Sequence, residues 1–114
     1  MELKGITLKH FWIWYLLPKQ RKTYKTDSLI GGNNVAKIRF LAMSFTERYG
    51  VYVDFFDSVG VIIEIKIKTN LRYNYGIHDK IEWLFYSQFF SDRNLARTAA
   101  IKKANELHNE FLNK

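Results

Sequence analysis

The sequence predicts an α+β domain in the order β-α-β-β-β-α: an antiparallel sheet of three or four strands with two helices mainly on one face. Two patterns point there. Ile63, Ile65 and Ile67 alternate with Glu64, Lys66 and Lys68, the period of a strand with one face buried and one in water. From Asp92 onward Ala96, Ala100 and Ala104 recur at helical spacing, and small side chains let a helix lie close on a sheet.

The elements follow in order. Ile6 to Leu17 reads as a strand, β-branched and aromatic, with Ile6, Leu8, Trp12, Trp14 and Leu16 on one side. Phe11, Ile13 and Tyr15 make its other side apolar too, so a helix or a partner must cover it. Pro18 ends it. Residues 18–34 form a long basic loop closing in Gly31-Gly32-Asn33-Asn34. Asn34 caps a helix over Val35–Tyr49 that stops at Gly50. Ile38, Leu41, Ala42, Phe45 and Tyr49 share its core face, leaving Phe40 and Met43 on the opposite flank with Ala36. Val51–Phe56 and Val61–Thr69 read as a hairpin around Asp57-Ser58-Val59-Gly60. Asn70–Asp79 is a turn-rich link, Lys80–Phe89 the last strand, and Asp92–Leu112 a helix burying Ala96, Ala100, Ala104, Leu107 and Phe111. The whole is one domain, 1–114, with an αβββα core over 35–112.

Composition narrows the function classes. The 114 residues are 47% apolar and 17% aromatic, enough to fold around a core and unlike a disordered tail. Cysteine is absent, which excludes disulfides and thiolate chemistry and fits a reducing compartment. The apolar run 11–17 is about a third of the ~20 residues of a membrane span. Pro18-Lys-Gln-Arg-Lys22 is not a signal-peptide cleavage site. The expectation is a soluble, cytoplasmic protein without a membrane partner.

Eighteen Lys and Arg against eleven Asp and Glu give a net charge of +7. Residues 1–48 hold nine of those cations and three of the acids, so an electrostatic footprint for an anionic partner leans to this half. Lys19, Arg21, Lys22 and Lys25 interleave with Tyr24, as contacts to single-stranded nucleic acid require; a solvated loop has the same composition. Arg93 and Arg97 lie where a helix N-terminus favours an anion. Arg97 also falls within the apolar stripe, where its stem packs while its head reaches the edge or pairs with an acid such as Glu64; a ligand or phosphate contact is the other reading.

Chemistry finds no such support. His10, His78 and His108 are scattered with no metal-ligand spacing. The pairs Asp54/Asp57 and Asp79/Glu82 read as solvated turns, and no phosphate-binding loop joins a strand to a helix. No catalytic residue, metal or cofactor is expected.

Two resemblances add to this reading. The order α-β-β-β-α, with Arg93, Ala96, Arg97 and Ala100 opening the last helix, resembles the double-stranded RNA-binding domain. That resemblance implies phosphate contacts from the helix N-terminus. Asn94 does not supply the second basic residue of that family's pair, and Asp57-Ser58-Val59-Gly60 replaces its Gly-Pro-x-His hairpin. The aromatic strand, the Ser91-Asp92 cap and the Ala96–Leu107 run are also similar to small α+β proteins of bacteriophages and mobile elements. This implies a fold and a mobile-genome setting in which several such proteins block a host enzyme. Excess apolar surface at Phe11, Ile13, Tyr15, Phe40 and Met43 gives the alternative expectation: an accessory or anti-defence protein that binds a host protein, or a homo-oligomer, through that aromatic patch. The leading expectation is a non-catalytic protein contacting nucleic-acid phosphates.

Overall fold

The structure, a computed structural model, describes residues 1–27, 30–68 and 70–113. The α+β class and the three-stranded antiparallel sheet stand as expected, but the element order is corrected. Four helices precede the sheet and one follows it: α1 (Gly5–Tyr15), α2 (Pro18–Thr23), α3 (Gly32–Leu41), α4 (Phe45–Ser58), β1 (Ile62–Lys68), β2 (Arg72–His78), β3 (Trp83–Tyr86) and α5 (Arg93–Leu112). Residues 28–29 of the expected loop and Thr69, the expected end of a strand, lie outside the described residues.

Of the segment 6–17, residues 6–15 are helix and not strand. An apolar run on both sides of a supposed strand carries no period of two, whereas Leu3, Thr7, Phe11 and Tyr15 are all buried at a spacing of four. Lys4, at the helix N-cap, makes no side-chain cap, and α5 supplies one from across the chain. Asn109 Oδ1 accepts from Thr7 N at 2.9 Å and from Thr7 Oγ1 at 2.6 Å, and its Nδ2 donates to Lys4 O at 3.1 Å. Asn105 Oδ1 accepts from Lys4 N at 2.9 Å. Because the Thr7 hydroxyl donates to Asn109, it accepts from His108 Nδ1 at 2.9 Å. Orphan amides at the start of α1 are thereby satisfied by tertiary contacts. Gly5 has a left-handed φ of 68°, and a Cβ there would stand 3.0 Å from the Asn109 amide. The expected loop 18–34 is corrected at both ends: Pro18 starts α2, where its missing N–H costs nothing, and α3 already begins at Gly32.

The expected helix 35–49 is two helices, and the expected strand 51–56 belongs to the second. Ser44 Oγ accepts from Glu47 N at 3.2 Å, a Ser-x-x-Glu capping arrangement that starts α4 afresh. Gly50 lies inside α4. The stop is Gly60, at φ 83°: Val61 N donates to Phe56 O and Gly60 N to Asp57 O, at 2.9 and 3.1 Å, the paired bonds of a Schellman ending. Asp57–Gly60 is therefore a helix terminus and not a hairpin. Along α4, Val51, Tyr52, Phe55 and Phe56 are buried. On α3 the face is reversed from expectation: Ala36 and Phe40 are buried while Ile38, Leu41 and Ala42 are exposed. Phe11 sits at the centre of the helical layer, its ring 5.1 Å from those of Phe40 and Tyr52 and 5.4 Å from Phe55.

The sheet runs β1-β2-β3, antiparallel throughout, with Ile63 opposite Ile77 and Ile65 opposite Tyr75. Its middle strand is the segment expected to be a link. Ile63, Tyr75 and Ile77 face the helices and join the core. Helix α5 lies on β2 rather than across the last strand. Ala96, Ala100, Ile101 and Ala104 are buried on it, whereas Leu107 is half-buried and Phe111 exposed.

Two outcomes follow. Ala100 is fully buried, so Ala100→Leu overpacks the helix–sheet contact and costs about 1–3 kcal/mol, read from denaturant unfolding. Burial, then the neighbouring His10, hold the His108 pKa below its ordinary 6.5. The unfolded chain takes up that proton first. The associated stability is present above pH 6.5 and is lost as the pH falls from there towards the folded-state value. Denaturant titrations on either side of that window should show this loss, with a smaller slope for His108→Gln.

Candidate functional site

Arg93 and Arg97 sit one turn apart at the start of α5, beside a groove of about 460 Å³ lined by Tyr49, Gly50, Val53, Asp54, Ile63, Ile65 and Ile67. The two guanidiniums are held by aromatic rings: Arg93 lies 5.4 Å from the centre of Tyr73, and Arg97 5.0 Å from that of Tyr49. Arg97 Nη1 donates to Asn94 Oδ1 at 3.3 Å, and its Nε is buried without a hydrogen-bond partner. Among the described residues neither arginine has a carboxylate within 4.0 Å. The expected pairing of Arg97 with Glu64 does not occur, because Glu64 is on the other face of the sheet beside His78. Two of the opening amides are taken by the cap: Asp92 Oδ1 accepts from Asn94 N at 2.7 Å and Leu95 N at 3.0 Å. What the helix start offers an anion is its side chains. Burial pushes the Tyr49 phenol up to about 12, against the lowering effect of Arg97, so at neutral pH it is a proton donor.

The basic segment 19–25 lies on the other side of the same turn of α4. A second recess, about 390 Å³, is lined by Thr23, Tyr24, Lys25, Met43, Glu47, Gly50, Val51 and Asp54; Gly50 and Asp54 are common to both. The structure thus brings Lys25 and the arginine pair to adjacent grooves. Lys19, Lys22 and Lys25 are exposed. Arg21 instead holds its own turn, its Nη2 donating to Thr26 O at 2.6 Å. Tyr24 is a packed strut rather than a free stacking surface. Its ring is 5.5 Å from Tyr15 and 6.1 Å from Trp14, and its hydroxyl donates to Asp54 Oδ2 at 2.8 Å. Burial and that carboxylate hold the phenol far above its usual range.

The aromatic patch expected on the surface is mostly interior. Phe11, Tyr15 and Phe40 are fully buried, because a helix at 5–15 turns Phe11 and Tyr15 inward, where they meet Phe40 of α3. Met43 is half-buried in the second recess, and Ile13 alone is widely open, at 67% exposure.

The sheet face turned away from the helices was not expected to matter. Trp83 and Tyr86 lie there, with ring centres 4.8 Å apart and exposures of 40% and 53%. Lys66 Nζ stands 4.7 Å and 5.6 Å from the two ring centres. Trp83 rests on Gly76, where a Cβ would come within 2.6 Å of its Cζ3. His78 meets the indole at 4.5 Å and Glu64 at 3.5 Å. Gly76, a glycine between alternating Tyr75 and Ile77, was the available signal that something lies close against the strand.

Among the described residues no group of three His, Asp or Glu side chains could hold a metal ion, and no helix is long and apolar enough to cross a membrane. No protein-family model matches the chain, and neither curated proteins nor solved structures give a significant match.

Gly50 occupies a helix interior where an added Cβ meets nothing within 4 Å. Gly50→Ala should therefore stabilise the fold by roughly 0.5–1 kcal/mol, measured as a higher denaturant midpoint.

Proposed function

We propose that this chain is a small non-catalytic binding protein that contacts nucleic-acid phosphates with little base specificity. The observation that carries the reading is the pair Arg93 and Arg97, stacked on Tyr73 and Tyr49 without a carboxylate partner among the described residues. A guanidinium fixed on a ring has already lost much of its freedom, and its fork matches the oxygens of a phosphate. Lys25, across Gly50 and Asp54, extends the cationic track, with Lys19 and Lys22 as outlying contacts. The net charge of +7 favours such a partner over an acidic cavity ligand. A nucleic-acid ligand and the absence of cysteine both fit a cytoplasmic setting.

The run α4-β1-β2-β3-α5 supports the fold half of the resemblance to the double-stranded RNA-binding domain. No Gly-Pro-x-His stands between Lys68 and Arg72 or at 57–60, so nothing supports a duplex-reading hairpin. The phage-type reading, a protein docked on a host enzyme or on a second copy, keeps Ile13 and Met43 as candidate contacts after Phe11, Tyr15 and Phe40 go to the core.

The test is a titration of labelled single- and double-stranded DNA and RNA at two salt concentrations. Affinity should fall with salt on a log–log line, and Arg93→Ala with Arg97→Ala should make that slope shallower by about two. Absence of binding to all four ligands at low salt would overturn the proposal.

A further inference from the structure

We infer that the open face of the sheet is a stacking platform for unpaired bases, and that the nucleic acid bound is single-stranded. This rests on the phosphate-binding reading and narrows its ligand. Helices α4 and α5 pack on the face carrying Ile63, Tyr75 and Ile77; on the opposite face Asn74 and Gly76 of β2 are buried, while Trp83 and Tyr86 of β3 are exposed. At its centre Trp83 and Tyr86 form one aromatic surface, tilted by 32° between rings. Gly76 leaves the indole room to lie against β2.

On β1 and β2 this face carries more cations than acids, although Asp79 and Glu82 flank the turn before Trp83. Lys66, Lys68 and Arg72 alternate onto this face with the register of β1 and β2. The carboxylate placed among them, Glu64, is beside His78 at 3.5 Å. Lys66 stands over both rings, where a cation is attracted by the electron-rich face. Its stem is long and flexible, so an incoming base can take the ring face while the ammonium moves to a phosphate of the same strand. Asn74, directly across from Lys66, is only 9% exposed, and its Oδ1 has no hydrogen-bond partner. A donor entering in place of Lys66, such as a base amino group, would meet that orphan acceptor. A duplex keeps its base faces stacked inside and cannot use such a surface; a single strand can, whatever its sequence.

The experiment compares an unstructured single strand, as DNA and as RNA, with a blunt duplex, using the full chain. Trp83→Ala should weaken single-strand binding about tenfold and remove the preference over duplex, with the salt slope unchanged; Trp83→Phe should restore most of it. The Arg93 and Arg97 variants should instead weaken both ligands and flatten the slope. Tyr86→Ala, more exposed than Trp83, gives the same reading should Trp83→Ala prove unfolded by circular dichroism. Single-strand affinity unchanged in the folded ring variants, or equal affinity of the parent for duplex, overturns the platform while leaving the phosphate reading in place. No binding of any ligand by the parent overturns both.

Discussion

The packing of α1 against α5 is the constraint on which the rest of the helical layer depends. Helix α1 has no cap of its own, and its opening amides are answered by Asn105 and Asn109. The seam is buried and polar, and its parts satisfy one another: Thr7 donates to Asn109 and accepts from His108, while Asn109 also reaches Lys4 O. Low local dielectric strengthens such a network when complete and penalises it when any member is missing. With α1 fixed at this angle, Phe11 enters the gap among Phe40, Tyr52 and Phe55. Tyr15 then stacks on Tyr24 and so anchors α2.

How much of this was legible in the sequence depended on whether the deciding contact was local. β1 and α5 were legible, because alternation at 63–68 and the Asp92 cap are read within a few residues. Helices α1 and α4 were misread for different reasons, and α2 was taken for the start of a loop. At 45–58 a local signal existed: Ser44 and Glu47 mark a new start, and the glycine ending belongs to residue 60 rather than 50. At 5–15 the local signal was ambiguous, since β-branched and aromatic residues favour a strand until Asn109 settles the matter from over a hundred residues away. β2 was hidden by Asn74 and Gly76, which look like turn residues; Gly76 stands where Trp83 lies against the strand.

The candidate site divides in the same way. Arg93 and Arg97 were legible as cations at a helix start, but that start is closed by Asp92, and their anchoring on Tyr73 and Tyr49 is tertiary. Tyr24, legible as a ring among lysines, is tied to Asp54 and packed. The sheet's outer face could not be assembled from sequence while β2 was taken for a link, because Lys66 and Trp83 come together only across that strand. The two surfaces are chemically unlike: one offers charge on rigid supports, the other flat aromatic area under a movable cation.

The seam between the first and last helices also bears on when the chain can fold. A ribosome releases α1 long before α5, and the side chains that complete its opening turn are then still unsynthesised. Until they arrive α1 is an uncapped helix of eleven residues, below the length at which an isolated helix holds in water. The sheet, α4 and α5 form a more local unit that can assemble first. Closing the helical layer thus waits on contacts over a hundred residues apart, the kind whose loop-closure entropy slows folding. In the interval the ring partners of Phe11, Trp12 and Trp14, on residues up to Phe55, are already made, but the fixed α1 that presents these side chains to them is not.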